Sequence, residues 1–298
     1  MRNKESEVNA GKDDLMSFKA LMHWLLFAAY VGLFFTFPLT LLWGTTGLMI
    51  GPALAAVFLL LIGFRGSERI ASRLRMKRLT RAEAPALFAI TAEYSRRLGI
   101  PPPHLGIIET PALNAAIFGF SKRDAYLVFT RGALDSLSRE QLSTLVCRQL
   151  TYLWQGDVYC DSWLSQFLSV IERIALRNRH HSLGSSRKFY SFRVLLRQTL
   201  LYPLTLFPAL VLKMARDPSS IDLKAVKLSR NPHPFAEAYR RMEALQERIP
   251  FQTSFSLRHL FILAPATADP LARVFFGSDS LTTRISALEG LLRTAAAK

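Results

Sequence analysis

The sequence predicts a mostly α-helical fold with one small β-sheet (α+β), behind an N-terminal transmembrane helical hairpin. Three observations carry that reading. Two apolar runs near the N-terminus, Leu21–Trp43 and Thr45–Phe64, contain no Asp, Glu, Lys or Arg. The rest of the chain repeats apolar residues at helical spacing, interrupted by two short β-favouring runs. Half of the 298 residues are hydrophobic and mean hydropathy is +0.18, which excludes a disordered chain, a coiled coil and an ordinary soluble enzyme.

Each apolar run is long enough to cross a hydrocarbon core of about 30 Å as a helix. A cleaved signal peptide does not fit, because the apolar stretch is two lengths long, lacks a small-residue cleavage site and meets a basic stop. Only Gly44 and its threonine neighbours are available for a turn, so both flanks lie on one side. Positive charge beside a span is retained in the cytoplasm. Here Arg65, Arg69, Arg73, Arg75, Lys77, Arg78 and Arg81 oppose the single Glu68. The expected location is therefore the cytoplasmic (inner) membrane, multi-pass, with the main domain facing the cytoplasm.

The chain carries 38 Lys+Arg against 22 Asp+Glu, a formal charge of +16. Most of that excess sits in the stretch above and in a second one, Arg177–Gln198, which has no acid. Neither shows an aromatic-interleaved or Gly-rich nucleic-acid pattern, so anionic lipid headgroups are the expected partner and nucleic acid is not. Arg73, Arg75, Lys77 and Arg78 are the expected lipid-facing cations. Two cysteines, Cys147 and Cys160, are too few for a disulfide framework and suit a reducing compartment.

The expected organisation is a cytoplasmic tail (1–20), the transmembrane hairpin (21–64) and a domain (65–298) with a hydrophobic helical insert at about 158–213. Arg81–Leu98 reads as an amphipathic helix stopped by Gly99. His104–Ile108 and Ala125–Thr130 suit strands. Ser138 with Gln141 forms a capping-box pattern that opens a long helix, Arg139–Gln155. Asp161–Leu176 is amphipathic, and Thr199–Leu212 is apolar but broken by Pro203 and Pro208. These two are expected at the membrane surface or against the domain rather than as a second hairpin. Phe235–Arg248 and Arg284–Arg293 read as ordinary amphipathic helices.

The order of these elements resembles the HtpX-like family of membrane zinc metalloproteases, relatives of the CAAX prenyl protease. The motifs are Pro85-Ala86-Leu87, Gly99-Ile100-Pro101, Asn114-Ala115-Ala116-Ile117-Phe118-Gly119, Thr130-Arg131-Gly132-Ala133-Leu134 and Ser138-Arg139-Glu140-Gln141-Leu142. None is specific alone; their order and spacing from about residue 20 onward carry the likeness. The resemblance implies a zincin-like metallopeptidase domain and a place in protein quality control.

The family's catalytic helix reads His-Glu-x-x-His and reaches Gly-Asp three residues later. Anchored on Gly156-Asp157, that motif falls on Arg148-Gln149-Leu150-Thr151-Tyr152. Two histidines at i and i+4 would bind Zn²⁺ and the intervening Glu would take a proton from metal-bound water. Arg148 has no lone pair to donate, Gln149 is no base and Tyr152 is a poor zinc ligand. The family's third ligand, a Glu four residues ahead of a retained Asp222, is Pro218 here. Of the closing His-Pro-x-x-x-x-Arg pattern only Arg284 remains, with Ser278 in the His position.

The resemblance thus implies a pseudopeptidase: a membrane-anchored domain without catalytic residues, metal or other cofactor, that binds a protein or peptide partner. Because zincin substrates lie extended along an edge strand, Asn114, Ala115, Phe118 and Gly119 are the expected peptide groove. Gly156, Asp157, Asp222 and Arg284 are the retained framework, and Arg148 either pairs with an acidic side chain or with Asp222 and holds the former site closed, or packs its stem and forms one internal salt bridge. Two alternatives stand beside this: an active metalloendopeptidase holding zinc through unorthodox ligands, and an anionic-lipid adaptor. Cys147 as a nucleophile and a relocated zinc site among the six histidines are weaker readings.

Overall fold

The computed structural model describes residues 2–176, 218–246, 248–265, 284–286 and 288–290. The expectations for Arg177–Gln198, Thr199–Leu212 and Ser278 lie outside the described residues. The fold class is the expected one: helices dominate, with one four-stranded sheet behind two apolar helices.

Helix α1 (Arg2–Trp43) and helix α2 (Thr45–Gly63) form the hairpin, and α1 begins far ahead of the first apolar run, so residues 2–20 continue it as helix. Gly44 turns the chain at φ 58°, a conformation natural to glycine. Small residues on one stripe of α2 let the backbones close up: a Cβ on Gly47 would lie 2.1 Å from the Leu39 carbonyl oxygen, and one on Gly51 2.5 Å from Thr36 Cα. Among the described residues, the exposed large apolar side chains all lie between Leu21 and Phe64. Both helices are long and apolar enough to cross a membrane.

Helix α3 (Gly66–Arg73) follows, then strand β1 (Lys77–Arg78), α4 (Pro85–Arg97), β2 (His104–Ile108), β3 (Ala115–Gly119) and β4 (Ala125–Thr130). The strand order is β1-β2-β4-β3, with β2 and β4 parallel and both outer pairs antiparallel. β4 is buried on both faces, and its alternate side chains serve two cores. Leu127 and Phe129 pack toward α4 and α6, while Tyr126 and Val128 pack toward α3 and the 3₁₀ turn Phe255–Leu260.

Helix α5 (Arg131–Ser136) leads into α6 (Arg139–Gln155), opened by the reciprocal Ser138–Gln141 capping box and closed by Gly156 at φ 87°. Helix α7 (Asp157–Leu176) has two unlike faces. Leu164, Phe167, Leu168 and Ile171 pack against Phe27, Val31, Ala55 and Ile62 of the hairpin. The Phe167 ring meets Phe27 and Tyr30 edge-on at 5.9 Å each. Its other face is polar and buried against the domain. Ser162 Oγ accepts the Gly119 N–H at 2.9 Å, and Gln166 Nε2 donates to the Gly66 carbonyl at 2.7 Å. This helix, expected at the surface or against the domain, is the joint between hairpin and domain. Helices α8 (Pro218–Ser229) and α9 (His233–Gln246) close the core around α6.

Candidate functional site

The positions singled out on α6 are all buried. Arg148 is 6% exposed, Gln149 0% and Tyr152 5%. A buried guanidinium needs a counter-charge. It finds one on α8, where Arg148 Nε donates to Asp222 Oδ1 at 3.1 Å. Its Nη1 donates to Gln149 Oε1 at 2.9 Å, and its plane lies over the Tyr152 ring, 5.8 Å from the centroid. Tyr152 in turn donates to Asp161 on α7.

Asp222 has three donors besides Arg148. Arg284 Nε reaches Oδ2 at 2.7 Å, Arg284 Nη2 reaches Oδ1 at 3.0 Å, and the Tyr239 hydroxyl on α9 donates to Oδ1 at 2.8 Å. Arg284 also donates to the Ile262 carbonyl at 3.2 Å and lies over the Tyr239 ring at 4.5 Å. Two guanidinium groups therefore share one buried carboxylate. Burial by itself would raise that carboxyl's pKa, but Arg284 and Arg148 outweigh it and hold Asp222 below the usual carboxylate range. Burial raises the Tyr239 hydroxyl, so it stays protonated and donating.

This arrangement brings together three of the four motif positions, Arg148, Gln149 and Tyr152, with the framework residues Asp222 and Arg284. Pro218 begins α8, one helical turn ahead of Asp222. Gly156 is the C-cap of α6, and Asp157 starts α7, with a carboxylate oxygen 3.6 Å from His23 Nδ1 in the first apolar run. Zinc, which the resemblance implies, does not fit these side chains: a guanidinium, an amide and a phenol engaged with Asp161 stand where two imidazoles and a base would be needed. Among the described residues no three His, Cys, Asp or Glu side chains gather to hold a metal ion. Cys147 is fully buried and burial pushes its thiol up to about 12, the reverse of an activated nucleophile.

The expected peptide groove is arranged differently from its reading in the sequence. β3 is the edge strand, yet the chain itself lies along it. Ala116 bridges Phe261 in antiparallel fashion, and Ile262 N–H donates to the Ala115 carbonyl at 2.9 Å. Asn114 fastens the same segment, with Nδ2 donating to the Leu263 carbonyl at 2.8 Å and Oδ1 accepting the Leu263 N–H at 3.2 Å. Phe118 is buried and stacked on Tyr126, 5.5 Å between centroids, and the Gly119 N–H is taken by Ser162. Asn114, Ala115, Phe118 and Gly119 thus form an interior seam, because a buried edge strand must satisfy its backbone groups.

The four basic residues expected to face lipid also divide. Arg73 Nη2 binds Glu172 at 2.9 Å, and Arg78 donates to the Tyr126 hydroxyl at 2.7 Å. Lys77 is exposed, with Glu109 3.7 Å away, and Arg75 is exposed. Sequence reasoning missed Asp161, Tyr239 and the Phe261–Leu263 segment. Their partners lie on other elements, so no local spacing marks them.

The structure thus combines two helices long and apolar enough to cross a membrane with an α+β domain centred on a helix-borne polar cluster. The chain is similar along nearly its whole length to proteins named protease HtpX homolog. That of Nostoc sp. is 25% identical over 274 residues, 88% of this chain and 93% of the relative. That of Pelotomaculum thermopropionicum is 24% identical over 281 residues, 90% and 97% of the two chains. That of Nostoc punctiforme is 26% identical over 272 residues, 88% and 93%. The crystal structure of S. mikatae Ste24p aligns at TM-score 0.46 and 15% identity, covering 94% of this chain and 66% of that one. No protein-family model matches the chain. The chain's resemblance to the HtpX homologues thus extends over about nine-tenths of its length.

Proposed function

We propose that this protein is a membrane-anchored, non-catalytic HtpX-like protein, a pseudopeptidase that binds a protein or peptide partner. The observation that carries the reading is the Arg148–Asp222–Arg284 cluster: a permanent cation, itself paired to the retained Asp222, occupies the helix position where the family carries a zinc-binding histidine. No proton-accepting group stands beside it at Gln149, so neither metal binding nor activation of water has the donors it needs.

In this reading the hairpin lies in the cytoplasmic membrane, the domain from residue 65 onward faces the cytoplasm, and the bilayer's anionic headgroups are a second partner. The basic flank from Arg65 to Arg81 supports that orientation. The partner chain meets a surface other than the outer edge of β3, which the Phe261–Leu263 segment already covers.

The test is proteolysis and binding on one preparation. The full chain, purified in mild detergent, is incubated with a fluorescent unfolded protein, with added zinc and with chelator. The expected result is saturable binding, seen as raised anisotropy and unchanged by chelator, and no chelator-sensitive cleavage. Chelator-sensitive cleavage, or no binding at all, overturns the reading.

A further inference from the structure

The turn between β3 and β4 is built into the membrane exit of the hairpin. Trp163 of α7 lies on Gly63, the last residue of α2: a Cβ there would sit 2.4 Å from the indole. Phe120 lies in the same way on Gly66, with 2.4 Å to its ring, and the two rings meet edge-on at 5.1 Å. Ser67 Oγ lies 2.6 Å from Asp124 Oδ2 and 3.1 Å from the Asp124 carbonyl, tying the far side of the turn to α3.

Those contacts fix the height of the intervening residues. Lys122 and Arg123 are exposed, and among the described residues neither has an ion-pair partner. Arg65 is the first residue after Phe64 and directly precedes Gly66, on which Phe120 lies; its side chain is 71% exposed, with Glu68 3.7 Å away. Arg69 donates to the Leu61 carbonyl in the last turn of α2. Cations at the end of an apolar span, next to an aromatic pair, stand at headgroup depth. Lys77, by contrast, lies on β1, the sheet edge opposite β3. Three strand spacings of about 4.8 Å separate the two edges.

We infer that Arg65, Lys122 and Arg123 form a headgroup-binding rim for anionic phospholipid, held at the bilayer surface by the Phe120–Trp163 pair. It rests on the membrane insertion of the hairpin in the reading above, and it assigns the lipid contact to the β3–β4 turn rather than to the stretch Arg73–Arg78. An anionic headgroup suits this rim because its phosphate meets several donors on fixed backbone while its acyl chains continue along α2. Near a membrane surface each such cation changes anionic-lipid affinity by roughly fivefold.

The experiment uses the full chain in neutral detergent, titrated with phosphatidylglycerol or phosphatidylcholine and read by native mass spectrometry. Lys122→Ser with Arg123→Ser is expected to weaken phosphatidylglycerol binding by about 25-fold. Arg65→Ser is expected to weaken it about fivefold, and Arg75→Ser with Lys77→Ser to leave it within about twofold. Thermal midpoints of all three variants should match the parent, since the altered side chains are exposed. Equal affinity for phosphatidylcholine, an equal loss in the Arg75/Lys77 variant, or displacement by inorganic phosphate alone at matched concentration overturns the rim. Failure of the chain to enter neutral liposomes would instead overturn the membrane reading itself.

Discussion

Arg148 on α6 and Asp222 on α8 meet at 3.1 Å in the interior, and Arg284 holds the opposite oxygen of the same carboxylate at 2.7 Å. Two buried positive charges on one negative charge make the cluster lopsided. Arg284 has the better geometry, with two bonds to the carboxylate, one to Tyr239 and one to the Ile262 carbonyl. Arg148 is the excess cation.

Replacing Arg148 with a hydrophobe of similar length is therefore expected to be nearly neutral. Arg148→Met removes a desolvated charge while Asp222 stays paired, so the change should be under about 1 kcal/mol in either direction. Arg284→Met leaves Asp222 with the weaker partner and should cost about 3–5 kcal/mol. Thermal midpoints of both variants in one detergent check the contrast.

Acid should find Asp222. Its folded pKa is depressed, so the stability it contributes is whole above the unfolded carboxylate pKa of about 4 and is lost as pH falls through the lower folded value. The parent should lose midpoint steeply below about pH 4, and Asp222→Asn, already destabilised, should show a shallower slope there. Parallel slopes would mean that other carboxylates carry the acid sensitivity.

The thiols should be silent in the folded chain. Burial raises both Cys147 and Cys160 to about 12, so at pH 8 only about one thiol in ten thousand is thiolate. Maleimide labelling should stay near zero in detergent and reach both cysteines after denaturation. Rapid native labelling of Cys147 would restore its standing as a nucleophile.

The hairpin depends on the small stripe of α2. A leucine side chain at Gly51 has no room beside Thr36, where even a Cβ would come within 2.5 Å. Gly51→Leu should therefore part the two helices and lower the thermal midpoint in detergent, whereas Gly32→Leu, where a Cβ would meet nothing within 4 Å, should leave the midpoint close to the parent's.

Local chemistry made much of the fold legible. The α6 boundaries follow from Ser138, Gln141 and Gly156, and the strands His104–Ile108 and Ala125–Thr130 fall where β-branched and aromatic residues cluster. The hairpin followed from charge-free length. Helix α3 and strand β1 were not legible, since eight and two residues within a basic stretch are fixed by tertiary partners such as Glu172 and β2. The Arg148–Asp222 pair is one of two outcomes the sequence leaves open for Arg148, and it comes from aligning both residues with the family's motif positions. Tyr239, Asp161 and the Phe261–Leu263 segment were not foreseen, because only folding brings them to α6 and β3. That segment is also why an edge strand read as a groove is in fact a seam.

The most direct measurement is zinc per chain by elemental analysis. The full chain is purified without chelator, alongside a variant combining Arg148→His, Gln149→Glu, Tyr152→His and Pro218→Glu. The natural chain should hold no stoichiometric zinc and the restored one about one zinc, since i and i+4 histidines on α6 and a glutamate on α8 complete a ligand set. One zinc per natural chain would contradict the pseudopeptidase reading.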